Sequence, residues 1–313
     1  MAPWEEFDSA FQFNKKYAYD GQTVEQIRSN RQSLENVLFV DRLLRLLGIN
    51  AASRVYPPKS NQELRNLYKQ IIASTSPNHH KQSLIYYILR DCKKAGDSPA
   101  QFARSCYLPE KYRLFIDGLW HLDRLEFRPA LEYLTEPSLI PTFPDEILHV
   151  LIKLSRGDSS LPMAYYLTVS PPLASPEVRQ AYFALLCSTS VTEAFYFARN
   201  QDEKLHRELF EQLIHHVHSA SPGEPRRNNA MELINLPFSE QEDTWFEDAL
   251  LRGSSKNLNG ARDTVLMRRV ATGNLRDLDG DFDVLAGRKV DGLNWDDLKQ
   301  SLNKSLGPTS TSL

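Results

Sequence analysis

The stretch FIDGLWHLDRLEFRPALEYLTEP (residues 115–137) decides the fold of this 313-residue chain, because its apolar residues recur at helical spacing. Its first half continues a stripe that begins just upstream, and its second half starts a new repeat at Pro129. The stretch therefore predicts two short helices that pack against each other. The first stripe consists of Tyr112, Phe115, Leu119 and Leu122, with Ile116 and Trp120 beside it, and the second of Ala130, Leu131 and Leu134.

The same stretch holds a histidine two residues before an aspartate, a pair that could suggest a catalytic site. Residues two apart on a helix point about 200° away from each other. His121 and Asp123 therefore cannot share a proton within one helix. The apolar stripe explains the stretch as core packing, and we interpret both residues as structural.

Apolar repeats of the same period also occupy residues 33–47, 62–74 and 80–94. For the first of these we expect one helix, with Ser33 as its N-cap and Gly48 as its C-terminal stop. Downstream, hydroxyl residues precede acidic residues by three positions, which is the spacing of a capping box. These pairs are Thr142 with Asp145, Ser190 with Glu193 and Ser239 with Glu242, and Ser175 before Pro176 marks a further helix start.

Alternation of apolar and polar residues over a strand's length is missing, and no Asn-Gly or Asp-Gly turn separates apolar runs. We therefore predict an all-α fold, an irregular helical solenoid or right-angle array of short antiparallel helix pairs with an extended C-terminal segment. About a dozen helices of about 8–16 residues would fill it.

The composition divides the chain into three parts. Residues 1–32 are predicted to form an N-terminal extension, and residues 33–252 the α-helical domain. From 253 onward the sequence is polar and rich in loop-forming residues, as in GSSKNLNGARD and PTSTSL. Residues 253–313 are therefore predicted to comprise a linker, short helices and a disordered tail.

The charge balance argues against direct DNA binding. Lys and Arg number 37 against 40 Asp and Glu, for a net charge of −3, whereas DNA-binding domains are usually basic. No segment approaches the ~18 consecutive apolar residues of a membrane span. The three cysteines form no Cys-x-x-Cys pair, which favours reduced thiols in an intracellular compartment over a disulfide framework.

Neither of two candidate metal motifs is complete. His215, His216 and His218 lack further ligands and an HExxH context. The loop DLDGDFD (277–283) begins like a calcium loop, but the turn glycine and the twelfth-position glutamate are replaced by Phe282 and Arg288. No GxSxG, P-loop or GxGxxG motif is present. We therefore expect no metal, cofactor or small-molecule substrate, and no enzymatic activity. The would-be calcium ligands are Asp277, Asp279 and Asp281.

Four motifs, taken together and in order, resemble the ELYS-like helical domain of nuclear pore proteins over about residues 35–252. They are Trp-x-Leu-Asp at 120–123, Ala-Leu-x-Tyr-Leu at 130–134, Thr-Glu-Ala-Phe at 192–195 and Leu-Pro-x-Ser-x-x-Glu at 236–242.

This resemblance implies a non-enzymatic scaffold nucleoporin in the nucleus, at the nuclear pore complex of the nuclear envelope. Its partners would be Y-complex nucleoporins, including a β-propeller subunit and the propeller-solenoid subunit of a short arm. Animal members of the family add an N-terminal propeller and a C-terminal AT-hook. This chain looks like the short, fungal-type form, and its AGRKV (286–290) is a poor match to an AT-hook.

The best candidate for a docking element in the sequence is an amphipathic strip beyond the linker, at helical spacing. Alternatively, this strip folds back on the chain's own core. Two other functions stay open, a helical chromatin or nucleic-acid adaptor and an all-α hydrolase or metal enzyme. The strip consists of Leu293, Trp295, Leu298, Leu302 and Leu306.

Overall fold

The computed structural model describes residues 3–11, 19–92, 98–155 and 157–273, and the strand residues 289–290 and 293–294. The all-α prediction is confirmed, with seventeen α-helices in this part of the chain. The chain divides into two compact units, Met1–Ala181 and Tyr182–Leu313. The predicted domain boundaries at 32 and 252 stay predictions, and the extended C-terminal segment lies almost wholly outside the described residues.

The first unit contains a 3₁₀ turn at Pro3–Glu5 and helices α1 (Phe7–Ala10), α2 (Gly21–Ser33), α3 (Phe39–Leu46), α4 (Ala52–Val55), α5 (Asn61–Ala73), α6 (Asn78–Asp91), α7 (Ser98–Ser105), α8 (Glu110–Asp123), α9 (Phe127–Leu134), α10 (Pro144–Leu154) and α11 (Ser160–Val169). Helix α12 (Pro176–Thr189) spans the boundary between the units. In the second unit lie α13 (Val191–Arg199), α14 (Glu203–Ser219), α15 (Glu224–Ile234), α16 (Glu240–Leu251) and α17 (Ala261–Ala271). Two antiparallel two-residue strands follow, β1 (Lys289–Val290) and β2 (Leu293–Asn294).

The opening stretch forms the helical pair that its sequence predicts. Helices α8 and α9 pack directly on each other. Leu119 and Leu122, both on α8, are fully buried. A Cβ atom at Gly118 would lie 2.5 Å from the Leu134 Cγ, so the glycine is what allows the two helices to approach so closely. Helix α9 begins at Phe127, two residues before Pro129.

The prediction of one helix over residues 33–47 is wrong. Ser33 is the last residue of α2, and a new helix, α3, begins at Phe39. Between them Glu35 and Asn36 adopt left-handed backbone conformations, with φ of 54° and 65°. Local periodicity cannot reveal this break, because the start of α3 is fixed by a carboxylate on α8, distant in sequence. Gly48, with φ of 85°, ends the segment as expected.

The three predicted capping pairs have different outcomes. Ser239 and Glu242 form the full capping box, and Ser190 accepts a hydrogen bond from the Glu193 N–H at 3.2 Å. Thr142 caps nothing, because Phe143 occupies the N-cap of α10 in a left-handed conformation. Its partner Asp145 instead accepts hydrogen bonds from the backbone of a later segment, at Leu173 and Ala174.

The core of the second unit is an aromatic cluster. The ring of Phe238 lies 5.5 Å from Phe195, 5.0 Å from Phe210 and 5.3 Å from Phe246, which joins α13, α14 and α16 through one side chain. Helix α17 packs onto α15 and α16. Its Arg268 donates to the carbonyl oxygens of Ile234 and Leu236, each at 2.6 Å, which satisfies the C-terminal end of α15.

Candidate protein interaction surface

Asp123 and His121 bind different partners, as the helical spacing predicts. Asp123 is 4% exposed, and its two oxygens accept hydrogen bonds from the Phe39 N–H at 2.7 Å and the Val40 N–H at 2.9 Å. It thus supplies the N-terminal cap of α3 from another helix. His121 Nδ1 lies 2.7 Å from the Glu126 carboxylate, and the histidine ring stacks on Tyr133.

A second buried carboxylate, Asp91, stands at the C-terminal end of α6. Its Oδ2 accepts hydrogen bonds from the hydroxyls of Tyr19, at 2.8 Å, and Tyr56, at 2.6 Å. Its Oδ1 accepts one from the Trp120 indole N–H, at 2.8 Å. The Tyr87 hydroxyl donates in the same way to Asp123, at 2.7 Å. We call Asp91, Asp123 and these donors the buried polar network.

Burial shifts the acidity of both carboxyls in this network. Desolvation raises the pKa of Asp91 to about 6 and that of Asp123 to about 7, although the hydrogen bonds to each act in the opposite direction. Both residues line a cavity of about 360 Å³. Each carboxyl oxygen already accepts a hydrogen bond from a fixed donor, so this geometry holds helices together and offers no open base to a substrate.

The histidine motif in α14 does not assemble a metal site. His218 is buried, with Nδ1 2.8 Å from the Ile214 carbonyl oxygen and Nε2 3.0 Å from the Thr264 hydroxyl, while His215 is exposed. Among the residues that the structure describes, no group of three or more His, Cys, Asp or Glu side chains could hold a metal ion. The three aspartates of the calcium-like loop at 277–283 lie outside the described residues.

The three cysteines are free and buried, which makes them poor nucleophiles. Burial raises the pKa of the Cys187 thiol to about 12, and it raises the pKa of Cys92 and Cys106 as well. Across the described ranges, no helix combines the length and the apolar composition that crossing a membrane requires.

Helix α11, SLPMAYYLTV, lacks the charged outer face that is expected of a surface helix. It carries no charged residue, yet only Pro162 and Tyr165 are buried. Ala164, Leu167 and Thr168 share one outward face because they stand at positions i, i+3 and i+4, and all three are exposed. Leu167 is 72% exposed. A helix that is apolar on all sides is usually buried, so this face has the composition of a contact surface.

The apolar face continues onto the neighbouring loop. Ile140, which is 73% exposed, lines a cleft of about 220 Å³ together with Thr168 and Val169 of α11. Leu139 and Pro141 line the same cleft. We call Ile140, Ala164, Leu167 and Thr168 the α11 surface. Such a surface, with a cleft beside it, suits apolar contact with another protein better than catalysis.

A wider groove of about 580 Å³ lies between α3 and α10. Phe39 and Val150 form apolar parts of its wall. The buried Arg42 Nε and His149 Nδ1 atoms have no hydrogen-bond partner within the described part of the chain. Burial lowers the pKa of His149, which favours its neutral form. The lining of the groove includes acidic residues, such as Glu35 and Glu146, and basic residues, such as Arg42 and Lys153, so it favours neither sign of charge in a ligand.

The docking strip proposed from the sequence is placed only in part. Leu293 lies in β2, and the other four members, Trp295, Leu298, Leu302 and Leu306, fall outside the described residues. Its role stays a prediction. The sequence reasoning missed the α11 surface, because a short run without charge is typical of a buried helix. The signal available was that lack of charge across all ten residues.

Comparisons with known proteins identify the family of this chain. The ELYS family model, described as nuclear pore complex assembly, matches residues 37–253. A protein of Schizosaccharomyces pombe, strain 972, named "Uncharacterized protein ely5", is 28% identical over 231 residues, which cover 73% of this chain and 74% of that protein. The family match contains the whole opening helical pair and the whole aromatic cluster, and it points to a structural, non-enzymatic role in nuclear pore assembly. This chain therefore belongs to the ELYS family.

Proposed function

We propose that this chain is a non-enzymatic scaffold nucleoporin that binds Y-complex subunits and so contributes to nuclear pore assembly and nucleocytoplasmic transport. Its location would be the nuclear pore complex of the nuclear envelope. The partners would include a β-propeller subunit and the propeller-solenoid subunit of a short arm. Family membership supports the pore assignment, and the α11 surface is the observation that supports a role in binding other proteins.

The α11 surface has the physical character of a contact that excludes water. Leu167 and Ile140 each expose most of their side chain, and burying such a residue contributes roughly 1.5–3 kcal/mol. No charged residue on α11 has to lose its hydration when a partner covers the helix. Binding should therefore depend on a few apolar anchors, with Leu167 and Ile140 foremost among them.

The helices around this surface hold it in a defined position. Helix α11 packs on α9 and α10, and its Tyr165 is buried beneath the exposed face. The C-terminus of α11 is closed by Ser170, whose N–H donates to the Tyr166 carbonyl oxygen at 2.9 Å. A rigid helix loses little conformational freedom on binding, which favours affinity for a scaffold contact.

The test is affinity purification of the tagged full chain from its own cells, followed by quantitative mass spectrometry. Wild type is expected to recover Y-complex nucleoporins in near-equal amounts. Leu167→Asp places a charge in the proposed contact and should lower that recovery at least tenfold. Leu46→Asp is the matched control, because Leu46 is also an exposed helical leucine, 61% accessible, and lies on α3.

One result would contradict the scaffold function, and another would contradict only the assignment of α11 as its contact surface. Wild type that recovers chromatin proteins or a metabolic complex, without Y-complex nucleoporins, would exclude the scaffold function. If Leu167→Asp and Leu46→Asp recover the same nucleoporins as wild type, the scaffold function stands and α11 is not its contact surface.

A further inference from the structure

The turn after α7 places a tyrosine in a backbone conformation that favours glycine. Tyr107 has a φ of 53°, in the left-handed region, and its side chain is 90% exposed. Its N–H donates to the Arg104 carbonyl oxygen at 3.3 Å, and the next N–H, of Leu108, donates to the Ala103 carbonyl oxygen at 2.9 Å. Glycine is the usual residue where a helix ends in this way, because a Cβ is unfavourable there.

Other large apolar residues with left-handed backbones in the described ranges are stabilised by packing. Leu173 is buried, Leu125 packs against the core of the first unit, and the Phe143 ring lies 6.5 Å from Phe39. In each case the side chain supplies contacts that offset the backbone cost. The exposed Tyr107 ring supplies no such burial, so folding of this chain gives no reason for a tyrosine at this position.

The surroundings of Tyr107 are basic. Among the described residues that flank Tyr107 in the sequence, Arg113 is paired with Glu110 at 2.9 Å, and the excess positive charge comes from the exposed Arg104 and Lys111. The Lys111 ammonium lies 5.5 Å from the centre of the Tyr112 ring. We call Arg104, Tyr107, Lys111 and Tyr112 the Tyr107 corner.

The corner is held firmly against its neighbours. The Gln82 side chain of α6 donates to the Cys106 carbonyl oxygen at 3.4 Å, and the Tyr112 ring lies 4.6 Å from the ring of His79, also on α6. Tyrosine on a rigid turn offers a large contact area at a small cost in conformational entropy.

We infer that Tyr107 is an anchor that inserts its ring into a cleft on an acidic surface of a partner protein, with Arg104 and Lys111 facing the partner's carboxylates. The inference rests on the proposed scaffold function and names the chemistry of one partner. Exposed aromatic side chains are typical binding hot spots, and charge complementarity selects an acidic partner. The two cations Arg104 and Lys111 are few for binding nucleic acid, which needs several phosphate contacts, and the chain carries a net charge of −3.

The partner is identified by photocrosslinking. The full chain carries p-benzoylphenylalanine at position 107 and is irradiated in its own cells, and the crosslinked peptide is sequenced by mass spectrometry. The expected product is a peptide of a nuclear pore protein, from a surface rich in Asp and Glu. A crosslink to nucleic acid, or to a protein surface without acidic residues, would overturn the inference.

The identified partner is then purified, and its Kd for the full chain is measured with Tyr107→Gly. Binding should weaken at least tenfold because the ring is lost, while the Tm stays unchanged or rises by up to about 2 °C, because glycine relieves the backbone cost. Tyr107→Phe keeps the ring and should bind within threefold of wild type. Lys111→Gln should reduce the dependence of the Kd on NaCl concentration.

Leu125→Gly is the matched control for the backbone, because Leu125 is also left-handed but packs on the core. Its Tm should fall while its Kd for the partner is unchanged. Unaltered binding of Tyr107→Gly, in a chain whose wild type recovers nuclear pore proteins, would overturn this inference alone. Recovery of no nuclear pore proteins by the wild type would overturn the proposed function as well.

Discussion

The buried polar network and the α11 surface both place side chains where such side chains are seldom found. The network holds carboxylates in the core, and the α11 surface holds apolar side chains in contact with solvent. Asp123 is a carboxylate at 4% exposure, whereas Leu167 is an apolar side chain at 72% exposure. Every carboxyl oxygen of Asp91 and Asp123 accepts a hydrogen bond from the chain itself. The α11 surface, in contrast, leaves the apolar side chains of Leu167 and Ile140 largely exposed. The two regions are both unusual, but only the first is accounted for by the fold.

This difference separates structural residues from candidate contact residues. A buried polar group that is fully hydrogen-bonded stabilises one arrangement of helices and is costly to disturb. An exposed apolar residue contributes little to folding and can be changed without unfolding the chain. Stability and partner binding should therefore respond to different substitutions, and four predictions test that separation.

The largest effect is expected for Asp123→Ala. The change leaves the N–H groups of Phe39 and Val40 and the Tyr87 hydroxyl without their acceptor in the core. We expect a loss of about 3 kcal/mol in the free energy of unfolding. Urea unfolding followed by circular dichroism measures it. Asp8→Ala, which breaks the exposed pair with Arg65, is the control and should change stability by less than about 0.5 kcal/mol. Equal effects of the two substitutions would contradict the structural role of Asp123.

The next largest effect is expected for Gly118→Ala. Its Cβ would lie 2.5 Å and 2.7 Å from two atoms of the Leu134 side chain, so α8 and α9 must move apart or Leu134 must repack. We expect a loss of about 1–3 kcal/mol in the same unfolding assay. Gly21→Ala provides the control, because a Cβ there would have no neighbour within 4 Å. An unchanged midpoint for Gly118→Ala would mean that the contact between α8 and α9 is looser than described.

A smaller effect is the pH dependence that Asp123 contributes. Burial raises its pKa to about 7 in the folded chain, from about 3.9 when unfolded. The stabilising contribution of the bound proton is fully present below the unfolded pKa and is lost as the pH rises through about 7. Asp123→Asn removes this titration. Its destabilising effect, measured by urea unfolding, should therefore be greater at pH 6 than at pH 8, by about 1 kcal/mol.

At each pH the free energy of unfolding of Asp123→Asn is compared with that of wild type. Asp91 is present in both proteins, so its contribution to the pH dependence cancels in the difference. A cost of Asp123→Asn that grows as the pH rises would show that Asp123 titrates with a lowered pKa, in which case its three hydrogen bonds outweigh its desolvation.

The smallest effect on stability is expected for Leu167→Ser. The side chain is largely exposed, so its removal should change the free energy of unfolding by less than about 0.5 kcal/mol. Partner recovery in the affinity purification should nevertheless fall. A destabilisation above about 1 kcal/mol would place Leu167 in the core and remove the contrast between the two regions.

Much of the secondary structure could be predicted from local sequence. The apolar period identified α8 and α9, and the Ser-x-x-Glu spacing located the starts of α13 and α16, because both signals depend on residues within a few positions of each other. The break at Glu35 and Asn36 was missed, and the N-cap of α10 was placed one residue early, at Thr142 in place of Phe143. In both places a distant segment is involved, through Asp123 in the first and the Asp145 contacts with Leu173 and Ala174 in the second.

The candidate surface was harder to predict than the fold. Composition alone could not distinguish an exposed apolar helix from a buried one, so the lack of charge in α11 did not by itself indicate a contact surface. The role of the strip around Trp295 remains a prediction. Tyr107 is likewise an ordinary tyrosine in the sequence ARSCYLPEKY. Its left-handed backbone and its exposure are properties of the folded turn.

The sequence by itself determined the all-α class, the helical pair at 115–137 and the resemblance to the ELYS family, because periodicity, caps and motif order are local and linear features. The tertiary structure alone decided that Asp123 caps a helix that begins 84 residues earlier, and that Leu167 and Tyr107 face outward. The physical reason is that burial and hydrogen-bond partners depend on which segments meet in space, and a single residue's chemistry does not specify its neighbours.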